Sequence, residues 1–139
     1  MKNTNWILVA CLLGFSGVAL GALGAHGLEQ TLSVDQRSEW WATAVNYQMW
    51  HVLAILFAAL QHQRRGRGAG AAMAFTLGIV LFAGSLFCLA LGAPSWFGAI
   101  TPFGGLALLI GWVLLGRAAC QADSSEGNAG LDDERTNSP

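Results

Sequence analysis

The chain has 139 residues, of which 54% are hydrophobic and 11% charged, with a formal net charge of −1 and a mean hydropathy of +0.49. A soluble domain this small needs about 25% charged residues to cover its large surface, so the composition excludes an ordinary soluble fold. The net charge gives no reason to invoke a nucleic-acid partner, and Cys11, Cys88 and Cys120 form neither a CxxC pair nor a disulfide framework.

The first apolar run, residues 6–28, contains no charged residue and at about 1.5 Å per residue can cross a hydrocarbon core of about 30 Å. Leu8-Val9-Ala10-Cys11 resembles a lipoprotein cleavage box, but too little apolar sequence precedes Cys11. A signal peptide ending near Ala25 would have an h-region longer than the usual ~7–15 residues. An uncleaved membrane helix is the better reading. Residues 29–39 are polar, and Ser33-Val34-Asp35-Gln36 fits a capping box that starts the second helix before it enters the membrane at 41–60. A basic turn follows at 61–68.

From Gly68 to Gly116 there is no Asp, Glu, Lys or Arg. One helix of that length would measure roughly 74 Å, more than twice a bilayer, so the run must fold back once. Gly92, Pro94 and Gly98 mark the break, giving spans at 69–91 and 97–117. Thr101-Pro102 reads as a hydroxyl N-cap followed by proline at the first helical position. Residues 121–139 are rich in Asp, Glu, Ser, Asn and Gly and read as a disordered acidic tail.

The expected fold is therefore an all-α integral membrane four-helix bundle over residues 1–120. Four spans put Lys2, Arg64, Arg65, Arg67, Arg117 and Arg135 on one side and Arg37 alone on the other, so the positive-inside rule makes both termini cytoplasmic. Trp40, Trp41 and Trp96 then fall at the outer aromatic belt and Trp112 toward the inner side, while Trp50 sits near mid-membrane. The arginine turn is in reach of anionic headgroups, worth about 1 kcal/mol per charge, but topology alone accounts for it.

Small residues recur every four positions: Gly17, Gly21 and Ala25 in the first span; Gly70, Ala74 and Gly78, then Gly84, Cys88 and Gly92, in the third. The fourth has Gly104, Gly105, Ala107 and Gly111. Helices in lipid associate by close backbone approach and hydrogen bonding, which such stripes serve. Some stripes would serve equally in a homo-oligomer or a larger membrane complex.

Four segments in order carry a family resemblance: Gly21-Ala22-Leu23-Gly24-Ala25-His26-Gly27-Leu28, Asn46-Tyr47-Gln48-Met49-Trp50-His51-Val52-Leu53-Ala54, Phe82-Ala83-Gly84-Ser85-Leu86-Phe87-Cys88, and Thr101-Pro102-Phe103-Gly104-Gly105-Leu106-Ala107 with Gly111-Trp112. Over residues 6–115 the chain resembles the small integral membrane proteins catalogued as domain of unknown function 423, which include relatives of transmembrane protein 256. The resemblance implies a multi-span bundle in a cell (inner) membrane. It brings no activity, cofactor or catalytic residue.

The unusual positions within the spans are His26, Asn46, Tyr47, Gln48, His51, Ser85 and Thr101. Polar side chains inside a membrane face the bundle interior or a water-filled cavity, and ionisable ones are candidates for function. Tyr47 and Gln48 precede His51 by four and three residues, which places the three on one face, expected to point at the small-residue side of the first or third span. In one reading this face bonds to Ser85, His26 or backbone carbonyls and sets helix register. In a second, His51 and Tyr47 line a path for a proton or small polar solute. In a third, His26 and His51 act as ligands or acid–base groups, a poor set without a carboxylate or thiolate partner. The sequence thus points to a non-enzymatic accessory or scaffold bundle without metal or cofactor, with a small transporter or channel as the alternative.

Overall fold

Asn5 opens α1 (Trp6–His26): its side-chain carbonyl accepts the Leu8 amide at 3.2 Å, satisfying one of the donors that a helix start leaves unpaired. This computed structural model describes the backbone of residues 5–136 and the side chains of residues 5–120. After the one-turn α2 (Glu29–Leu32) come α3 (Arg37–Arg65), α4 (Ala69–Ala90), a 3₁₀ turn (Ser95–Ala99) and α5 (Thr101–Thr136). Among the described residues there is no strand. Four segments are long and apolar enough to cross a membrane, namely Trp6–His26, Arg37–Arg65, Ala69–Ala90 and Ser95–Cys120. The expected tail at 121–139 lies outside the residues with described side chains.

Two helix starts differ from expectation. Ser33 does not cap α3; its hydroxyl donates to the Gln30 carbonyl at 2.7 Å, and α3 begins after Gln36 with no side-chain cap. Asp35 turns the chain there at φ 50, a conformation that a short polar side chain tolerates better than most. Thr101 is the first residue of α5, and its hydroxyl bonds Ser85 Oγ at 2.7 Å instead of a backbone amide. The 3₁₀ turn leads into α5, with the Ile100 carbonyl accepting the Phe103 and Gly104 amides.

The basic turn depends on glycine. Gly66 ends α3 in the left-handed region at φ 68 and donates its amide to the His62 carbonyl. At Gly68, φ is 116, and a Cβ would collide with the Ala58 carbonyl oxygen, so the chain can lie back against α3 only without a side chain.

Neighbours in sequence are neighbours in space. Among the described residues, α1 packs on α3, α3 on α4 and α4 on α5, whereas α3 and α5 touch only lightly and α1 shares no substantial interface with α5. The four spans form an open row with α1 and α5 at its edges. Its core is made of small side chains, among them Ala10, Ala44, Ala58 and Ala72, all without exposed surface, around Ile55 and Phe75. Leu8, Leu12 and Phe15 of α1 and Phe103, Leu106 and Leu109 of α5 point outward, as lipid-facing residues should.

Candidate functional site

The polar residues of α3 divide between two neighbours. Adjacent helix positions lie about 100° apart, so a stripe made of Tyr47, Gln48 and His51 is wide enough to address two partners. Gln48 turns to α1: its Nε2 donates to the Leu13 carbonyl at 2.8 Å and to Ser16 Oγ at 2.9 Å, while Ser16 itself donates to Leu13. Gly17 makes this reach possible. A Cβ there would stand 2.7 Å from Met49 Sδ and 3.3 Å from Gln48 Nε2. About two turns toward the start of α3, the Trp41 indole donates to the Leu20 carbonyl at 3.0 Å, its ring over Gly24, where a Cβ would collide with it. Trp41 is thus buried at 5% exposure against α1, whereas Trp96 is exposed on the 3₁₀ turn.

His51 turns the other way, to α4 and α5, at 6% exposure. Its Nδ1 lies 2.7 Å from the Tyr47 carbonyl, and its Nε2 receives the Trp112 indole N–H at 3.2 Å. A carbonyl only accepts and an indole only donates, so the two partners fix the tautomer with hydrogen on Nδ1 and the lone pair on Nε2. Phe75 meets the His51 ring at 5.6 Å and the Trp112 ring at 5.3 Å, and Tyr47 meets Phe82 at 4.6 Å. Gly111 lets α5 come this close, since a Cβ there would stand 2.5 Å from the Phe75 ring. Beside the pair a groove of about 690 Å³ opens between α3 and α5, walled by Tyr47, Trp50, Phe82 and Trp112.

Ser85, 4% exposed, does not join this network. It donates to the Phe82 carbonyl at 2.9 Å and meets Thr101 at 2.7 Å, tying α4 to the start of α5. Asn46 is exposed in the monomer and lines a cavity of about 540 Å³ near the α1–α2 turn, together with Gly21, Ala25, Glu29 and Trp41. His26 is exposed at the end of α1 and shares no hydrogen bond with His51. Among the described residues, no three His, Cys, Asp or Glu side chains converge to hold a metal.

The small-residue positions also separate. Gly104 lies against the Phe82 backbone so closely that a Cβ would collide with it, and Gly105 faces the Phe82 ring at 3.8 Å. Gly21 makes ordinary contact with Val45 at 3.5 Å, and Cys88 is half-buried. Gly84 has nothing within 4 Å of its Cβ position, and Ala25 is exposed. Four-residue spacing repeats every 400°, and the stripe it makes drifts around a helix, so not every member meets the neighbour.

Sequence reasoning missed Trp112 as the partner of His51. The signal was depth: counted from the first residue of α5, Trp112 lies as deep as His51 does from the expected start of its span. Gly24 was missed as a packing position because it lies outside the four-residue stripe.

The family model described as "Protein of unknown function (DUF423)" matches residues 20–105. The chain is 43% identical to a UPF0382 membrane protein of Haemophilus influenzae over 89% of this chain and 99% of that one. It is 41% identical to the UPF0382 inner membrane protein YgdD of Escherichia coli K12, over 83% and 88%. To the UPF0382 membrane protein YwdK of Bacillus subtilis it is 38% identical, over 82% and 94%. No solved structure matches.

Proposed function

The chain belongs to the DUF423 family of small membrane proteins and is a multi-pass protein of the inner membrane, and from that premise we propose that it is a non-enzymatic accessory or scaffold bundle acting through helix and lipid contacts. The observation that carries this reading is the state of His51. Both ring nitrogens are engaged, one by the Tyr47 carbonyl and one by the Trp112 indole, so a proton relay would first have to break a bond that ties α3 to α5. Gln48 and Ser85 are likewise spent on joining helices. Hydrogen bonds between membrane helices average only about 0.6 kcal/mol, yet they select one register among many. Among the described residues, the outer faces of α1 and α5 have no intramolecular partner, which leaves them to lipid or to another protein.

The transport alternative is tested by the same residue. Reconstituted into vesicles loaded with a pH-sensitive dye, the protein should pass no more protons than empty vesicles. Proton flux that disappears in His51→Ala would overturn the scaffold reading. Affinity purification in mild detergent should recover a defined membrane partner with the wild-type chain.

The distribution of Lys and Arg supports a reading with both termini in the cytoplasm. In a variant cleared of native cysteines, an impermeant thiol reagent added to whole cells should label Ser33→Cys and spare Ser124→Cys. The reverse pattern inverts the topology.

A further inference from the structure

The uncharged run from Gly68 to Gly116 is flanked immediately by Arg67 on one side and Arg117 on the other. Because the run folds back on itself as α4 and α5, its two charged margins return to the same end of the row. There they line one cleft of about 280 Å³, whose other walls are Gly68, Gly70 and Ala71 at the start of α4 and Leu114 and Ala118 of α5. We propose that this cleft binds one anionic phospholipid, its headgroup phosphate between the two arginines and an acyl chain along the α4–α5 seam.

Three features favour a lipid as the occupant. The first is charge: a guanidinium offers a planar fork of donors that matches phosphate oxygens, and two such groups come from separate elements. The second is depth, since the first charges on either side of an uncharged membrane hairpin stand where hydrocarbon gives way to headgroups, the level of a phospholipid phosphate. The third is the wall. Leu114 lies three residues before Arg117, hence on the same face and one turn deeper in the span, and Gly70 opposite it presents no side chain. A soluble anion would use the arginines but gain nothing from that apolar wall. The site stands whether the bundle serves as a scaffold or as a transporter.

Native mass spectrometry of the full chain from mild detergent tests the site, with phosphatidylglycerol, phosphatidylcholine or inorganic phosphate added. One phosphatidylglycerol should remain bound under conditions that strip phosphatidylcholine, and inorganic phosphate should not displace it. Arg67→Gln and Arg117→Gln should each lower phosphatidylglycerol binding about fivefold, the effect of one basic residue at a membrane surface. Both arginines are exposed, and Arg117→Lys should keep part of the binding because it keeps the charge. Arg64→Gln, outside the cleft, should leave binding unchanged. Equal retention of phosphatidylcholine, an equal loss in Arg64→Gln, or displacement by inorganic phosphate overturns the proposal.

Discussion

The α1–α3 seam and the α4–α5 seam solve the same problem by different means. Between α1 and α3, side chains reach across to backbone: Gln48 to the Leu13 carbonyl and Trp41 to the Leu20 carbonyl, each above a glycine that leaves room for it. Between α4 and α5, backbone meets side chain or backbone directly, with Gly78 under Leu108, Gly104 against the Phe82 main chain and Gly111 under Phe75. The first seam holds an edge helix by a few directional bonds, and the second draws two helices together along their length. In lipid, where no hydrophobic drive separates helix from solvent, a few polar bonds suffice to attach one helix, while dispersion over a close contact makes a core.

That contrast ranks the substitutions. Gly104→Val should cost the most, about 3 kcal/mol, because the added atoms strike the Phe82 backbone, which has no rotamer to escape into. Thermal unfolding in detergent should show a much lower midpoint; an unchanged midpoint would mean that the α4–α5 approach is looser than described. Gln48→Leu keeps most of the volume and loses two hydrogen bonds, so about 1 kcal/mol is expected from the same measurement. If Gln48→Leu proves costlier than Gly104→Val, the two seams exchange roles. Gly84→Ala sharpens the comparison from the other side: nothing lies within 4 Å of its Cβ position, so a loss above about 0.5 kcal/mol would reveal a partner beyond this chain.

The spans were legible because length and apolarity are enforced by the bilayer, and the break at Gly92–Pro94 because no helix could run through it. What escaped were the choices made by single hydroxyls and rings. Ser33 had two acceptable uses, capping α3 or closing α2, and the chain takes the second. Thr101 gives its hydroxyl to Ser85, which only tertiary packing brings within reach. Trp41 and Trp96 are both tryptophans near one interface, and burial separates them through Gly24, a residue in a different helix. The polar face of α3 was visible as a set, but its division between α1 and α5 depends on which helices flank it.

The open row has a consequence for how the protein is made. Each span leaving the insertion machinery finds its main partner in the one already released, and no helix has to wait for the last to close a ring. When α3 enters the bilayer, the Leu13 carbonyl and Ser16 are already in place for Gln48. His51 must wait for Trp112, the last partner to be synthesised, and in the interval its Nδ1 retains the Tyr47 carbonyl of its own helix. Until then the His51 ring keeps one nitrogen in search of a donor, and the final span supplies it.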